Sequence, residues 1–112
     1  MKTTLAIADF TDIAARSDAA AALLRSMAHP ARLQILCLLN GGELSVGEIN
    51  ARVALSQSAL SQHLALLREQ QLVTTRREDQ NILYSVPPGP ALQVLAGLHA
   101  AFCKPADHER RP

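Results

Sequence analysis

At 112 residues the chain is one domain, long enough to bury a core yet short enough for a second copy to add useful stability. Apolar residues make up 48% of it but aromatic ones only 3%, so the core has to be built from Leu, Ala, Val and Ile. A formal net charge of +1 excludes a generally basic nucleic-acid coat and leaves room only for a localised binding surface.

Residues 1–10 read as a flexible N-terminus. The apolar patch Leu5-Ala6-Ile7-Ala8 stops at Asp9, too short for a secretion signal, and no run approaches membrane-spanning length, so a cytoplasmic protein with no membrane partner is expected. From about Thr11 to Ala28 an Ala-rich stretch carries Ala20, Leu23, Leu24 and Met27 as the apolar stripe of a helix. Pro30 opens a second helix, Arg32 to Leu39, which Gly41 and Gly42 close. Leu33, Ile35, Leu36, Cys37, Leu38 and Leu39 make it apolar nearly all round, which predicts that it is buried.

The next segment holds two helix starts eleven residues apart. Ser45-Val46-Gly47-Glu48 is a capping box with Leu44 and Ile49 at the staple positions, and Ser56 repeats the start with Leu55 and Leu60. A short helix, a turn at Val53-Ala54-Leu55 and a longer helix from about Ser56 to Gln70 make a helix-turn-helix. Leu60, Leu64 and Leu67 form the buried stripe of the longer helix. Its N-terminal face offers Gln57, Ser58, Ser61 and Gln62, with His63 at the margin. An ordinary solvated face carries Lys and Glu pairs. These short uncharged donors and acceptors instead suit base edges and phosphates in a major groove, Gln pairing bidentately with adenine.

A hairpin follows: Leu72 to Arg77, a polar turn at Glu78-Asp79-Gln80-Asn81, then Ile82 to Val86. Arg76 and Arg77 are its candidate phosphate or minor-groove contacts, although Glu78 and Asp79 partly offset their charge. Pro87-Pro88-Gly89-Pro90 separates this wing from a last helix, Ala91 to about Cys103. There Leu92, Leu95, Leu98, His99 and Phe102 fit a partner-helix surface, which predicts a dimer interface. Residues 104–112 read as a disordered tail.

Two cysteines are present, Cys37 and Cys103. Their separation rules out a CxxC redox motif, and a structural disulfide is not expected in a reducing cytosol. Residue chemistry alone leaves two readings open: small core hydrophobes, or reactive thiols. A thiol enzyme would need a base beside an exposed Cys, and Cys37 has no such neighbour in sequence, so no catalytic residue is assigned. His29 and His99 are lone histidines, more often hydrogen-bonders than ligands, so no metal site is assigned either.

The run from Met27 to Leu36 (MAHPARLQIL), then LSVGEI, LSQSALSQHLALL and the hairpin, resemble the ArsR family of winged-helix repressors over about Leu23 to Cys103. That resemblance implies a homodimer built on the first and last helices, a pseudo-palindromic double-stranded operator and a signal that releases DNA. The arsenic-sensing members carry cysteines where Ser45 and Gly47 stand here. The zinc-type pairs on the last helix are also missing, since Leu92-Gln93-Val94 opens it and Phe102, not His or Glu, follows three residues after His99. A Cys in the second helix and another at the end of the last resemble the BigR-type subgroup, which responds to persulfides and polysulfides, and related HlyU-type redox sensors. The expected fold is therefore mainly α with a small β-hairpin wing, about five helices in one winged helix-turn-helix domain spanning 11–103. The expected function is a cofactor-free, non-enzymatic, dimeric repressor released through a Cys37–Cys103 disulfide or polysulfide bridge. The competing readings are a metal-responsive repressor of the same family, in which a soft metal uses both thiols and a His, and a regulator with structural cysteines that senses another signal.

Overall fold

A computed structural model describes residues 7–103. Six helices and a three-stranded antiparallel sheet make up the described chain: α1 Ile7–Ala15, α2 Ser17–Met27, α3 Pro30–Leu39, β1 Leu44–Ser45, α4 Val46–Asn50, α5 Gln57–Glu69, β2 Thr74–Glu78, β3 Asn81–Ser85 and α6 Pro90–Phe102. The expected tail at 104–112 lies outside the described residues, and so do residues 1–6.

The helix expected from Thr11 to Ala28 starts earlier, at Ile7, and is broken in two at Arg16. There the Arg16 N–H donates to the Ile13 carbonyl and the Ser17 hydroxyl donates to that of Ala14, so a tight turn replaces the continuing α-helical ladder. At the far end of α2, His29 takes an extended backbone, as a residue before proline must. Its Nδ1 accepts the Ala31 N–H at 3.1 Å, which makes His29 the N-cap of α3.

The capping box forms as the sequence predicts. The Ser45 hydroxyl accepts from the Glu48 N–H at 3.2 Å, and the Glu48 carboxylate accepts from the Ser45 N–H at 2.9 Å. Ser56 caps α5 by accepting from the Ala59 N–H at 3.1 Å. Removing the first cap with Ser45→Ala is expected to lower stability by about 1 kcal/mol, read from denaturant unfolding. An unchanged midpoint would show that water replaces the cap at no cost.

The C-terminal end of α5 is a Schellman turn. The Leu72 N–H returns to the Leu67 carbonyl at 2.8 Å and the Gln71 N–H to that of Arg68 at 3.0 Å. Gln71 occupies the left-handed position with φ 63°, where glycine is the usual residue. Leu72 and Leu67, which close the turn, are both buried.

Leu72 and Val73 therefore belong to the core and precede the wing; β2 begins at Thr74, not Leu72. The hairpin closes on Glu78 and Asn81, which leaves a two-residue turn whose first residue, Asp79, has φ 57°. The sequence reading treated Leu44 and Ser45 only as helix-start residues. In the structure they also pair with Tyr84 and Leu83, making β1 the third strand in the order β1-β3-β2.

One core runs through all of this. Ile35 and Leu36 of α3, Ile49 of α4, Leu60 and Leu67 of α5 and Leu95 of α6 are at most 1% exposed. Two expectations fail here. The second helix is not buried all round: Ile35, Leu36 and Leu39 face the core, while Gln34 and Cys37 are exposed. Leu95 is not part of an open partner surface, because it fills the chain's own core. Both follow from geometry, since a lone helix can turn only one stripe inward. Large apolar side chains remain exposed on α1 (Phe10, Ile13), α2 (Leu24) and α6 (Phe102, 79% exposed). Among the described residues no helix is long and apolar enough to cross a membrane.

Candidate DNA interface and thiol pocket

Helix α5 is anchored from beneath by Leu60, Leu64 and Leu67, and this turns Gln57, Ser58, Ser61 and Gln62 outward, all exposed. No hydrogen bond from another described residue occupies them. The helix-turn-helix bend beneath that face is held by Asn50, whose Nδ2 donates to the Leu55 carbonyl across the turn at 3.0 Å. Sequence reasoning missed this clamp, although an Asn closing a short helix just before a turn was the available signal.

His63 points elsewhere. It is half-buried on the α3 side of the helix, its ring centroid 4.7 Å from that of His29 with the planes tilted by 59°. Burial, the neighbouring His29 and the Arg32 guanidinium all hold its imidazole below the usual histidine range. The sequence grouped it with the groove face; the structure sets it apart from the other four.

The two wing arginines also separate. Arg76 pairs with Leu83 of the central strand, whose other neighbour is Ser45, so its guanidinium reaches across that strand to the far edge. It grips both carboxylate oxygens of Glu43, at 2.7 and 2.8 Å, and approaches Glu78 at 3.4 Å. The hydrogen bond from Arg76 holds the Glu43 carboxyl below its ordinary range. Arg77 lies one step nearer the tip, opposite Ile82, exposed and with no ion-pair partner among the described residues. Arg77→Ala is expected to weaken binding to all DNA sequences alike and to flatten the slope of affinity against salt by about 1. Arg76→Ala is expected to do less, because its charge is already paired. A larger effect at Arg76 would reverse these roles.

The cysteines, 66 positions apart in sequence, meet at one place. Leu33 and Cys37 of α3 and Leu98, His99 and Phe102 of α6, with Cys103 capping that helix, line a cavity of about 220 Å³. Its walls are almost wholly apolar and it opens to solvent, with both cysteines reduced and exposed. Neither is therefore a core hydrophobe. Desolvation pushes the Cys37 thiol above its ordinary value, and repulsion from Cys103 adds to it. His99 shares the cavity wall, yet among the described residues no three Cys, His, Asp or Glu side chains converge as a metal site would require.

The chain has clear relatives among known proteins. Residues 29–75 match the family model for "Bacterial regulatory protein, arsR family". The transcriptional activator HlyU of Vibrio cholerae is 49% identical over 85 residues, which span 76% of this chain and 79% of that protein. This chain belongs to the arsR family. The biofilm growth-associated repressor of Agrobacterium fabrum, another relative of this arsR-family chain, is 43% identical over 93 residues, 83% of this chain and 80% of that one. A solved structure described as reduced HlyU from Vibrio cholerae superposes with a TM-score of 0.77 at 46% identity, covering 83% of this chain and 98% of that one. The fold is accordingly the winged helix-turn-helix of DNA-binding transcriptional regulators, with α4 and α5 as the helix-turn-helix and β2–β3 as the wing.

Proposed function

We propose that this arsR-family regulator is a homodimeric repressor, released from a pseudo-palindromic operator when reactive sulfur species join Cys37 to Cys103. The observation that carries the reading is that one apolar cavity is lined by both thiols, which lie close enough for Cys103 to oppose ionisation of Cys37. Dimerisation is supported by the exposed apolar side chains of α1 and α6, Phe10, Ile13 and Phe102. Two copies related by a two-fold axis would present two α5 helices to successive turns of one DNA face. A relative solved in a form described as reduced agrees with thiol chemistry in this group.

The chemistry balances without a cofactor. Burial, and after it repulsion from Cys103, oppose ionisation of Cys37. Cys37 is therefore assigned the resolving role and Cys103 the first attack. The Cys103 thiolate attacks a sulfur of the polysulfide, forming an S–S bond and expelling the rest of the chain as a shorter polysulfide anion. Cys37 then gives its proton to solvent and attacks the Cys103 sulfur, expelling hydrosulfide and leaving a disulfide. If a longer chain is still attached to Cys103, attack on its first added sulfur leaves a polysulfur bridge instead. Two thiols are oxidised and the polysulfide is reduced to sulfide.

The test uses full-length protein and a duplex that the protein itself selects from a random-sequence DNA pool. Polysulfide is titrated while duplex binding and intact mass are followed on the same samples. Release in step with a mass gain or loss that locates a bridge between Cys37 and Cys103 supports the reading. Release with both thiols free, or bridging with DNA still held, rejects it.

A further inference from the structure

The side of α5 that meets α2 and α3 carries two polar contacts in addition to the leucine stripe. His63 and Gln70 lie seven positions apart, about two helical turns, and so share one face. His63 meets His29, the N-cap of α3, at 4.7 Å. Gln70 accepts the Ser26 hydroxyl of α2 at 2.6 Å. Between them Arg32 donates through NH1 to the Ser26 carbonyl at 2.9 Å, while its Nε is buried with no hydrogen-bond partner among the described residues. The junction of α2 and α3 thus holds the reading helix at two points.

We propose that His29 and His63 are positioning residues for DNA recognition, that they set α5 at its working angle only while both imidazoles are neutral, and that operator affinity therefore falls in mild acid. The proposal rests on α5 being the DNA-reading helix. His29 accepts the Ala31 N–H through Nδ1, and a protonated imidazole has no lone pair left to accept it, so charging His29 removes the cap of α3. Charging His63 sets an imidazolium against His29 and the Arg32 guanidinium.

Among the described residues no carboxylate pairs with His29, His63 or Arg32. Helix α4, also packed on α5, has Glu48 as its one titratable group, and that carboxylate is turned to the Ser45 N–H. On α5 itself Arg68 and Glu69 lie five and six positions from His63, off its face. Burial, His29 and Arg32 already hold His63 below the usual histidine range. The sign follows from linkage: the neutral ring belongs to the competent form, so the stability it contributes is complete above the ordinary histidine pKa and declines as pH falls through its own lowered value.

The test measures binding of the selected duplex by reduced full-length protein at about pH 7.5 and about pH 5.5, at constant ionic strength. The wild type is expected to bind about tenfold more weakly in acid, the effect of one proton taken up by the free protein over about one pH unit. His63→Gln, and His29→Asn, whose side chain caps a helix without titrating, are each expected to lose only about threefold, because one titrating ring remains. His99→Gln is expected to keep the wild-type loss. NMR titration of the His63 ring is expected to give a lower pKa in the DNA complex than in free protein. Unchanged affinity in acid overturns the proposal, as does equal loss in the two variants or the same His63 pKa free and bound. Tighter binding in acid also overturns it, since that is what an imidazolium facing a DNA phosphate would give. If no duplex is selected even at about pH 7.5, it is the DNA-reading assignment that fails; a duplex bound without pH dependence sinks only the histidine proposal.

Discussion

Cys37→Ser and Cys103→Ser are each expected to hold the selected duplex as tightly as the wild type and to keep hold of it when polysulfide is added. Both side chains are exposed on the cavity between α3 and α6, so exchanging sulfur for oxygen removes no core packing. What it removes is the bond. A cross-link of this span would lower the entropy of the unfolded chain by on the order of 4 kcal/mol at room temperature. That contribution is common to every folded form, so it cannot itself choose between bound and released DNA. The choice has to come from strain: the bridge must suit the released geometry better, and a difference of about 1–3 kcal/mol is enough for a useful switch. Gel-shift titration of each single variant with and without polysulfide decides the matter. Normal release by either variant would show that two joined sulfurs are not the signal.

The largest loss of DNA affinity is expected from the groove face of α5. Gln62→Ala and Ser61→Ala each remove an exposed side chain that makes no hydrogen bond among the described residues, while Ser56 still caps the helix and Leu60 and Leu64 still anchor it. Folding and dimerisation are therefore expected to be unchanged in size-exclusion and unfolding measurements. A good bidentate base contact contributes about 1–3 kcal/mol to discrimination, so Gln62→Ala should weaken binding to the selected duplex roughly tenfold to a hundredfold. Ser61→Ala should cost less, since one hydroxyl replaces two donor–acceptor pairs. Binding to unrelated sequence should hardly move, because phosphate contacts supply it. Equal weakening on every sequence would assign these residues to the backbone.

Local chemistry made the helix-turn-helix legible before any coordinates. A capping box and a Ser cap need only a few residues each, and both form with the partners their spacing implied. The same holds for the leucine stripe of α5, whose three members are all buried. Less legible were features decided by distant partners. Nothing near Arg76 in sequence announces Glu43, which reaches it only because β1 and β2 flank the same central strand. Nothing near His63 announces His29. Cys37 was misjudged for a related reason: an all-apolar run looks buried on both sides, yet a ten-residue helix with a single core to face leaves its far stripe open. Which stripe is open depends on where α6 returns, and that is a property of the whole chain.

Helix α3 has one end in each half of this molecule. Its cap touches the reading helix, and eight residues on, about 12 Å away, Cys37 lies in the thiol cavity. A strut that short and that regular carries a push as a tilt of the whole rod, with no relay of side-chain rearrangements between its ends. Sensor and reader would then be geared through a single stiff part, and loosening the middle of that rod would disengage them while leaving each intact.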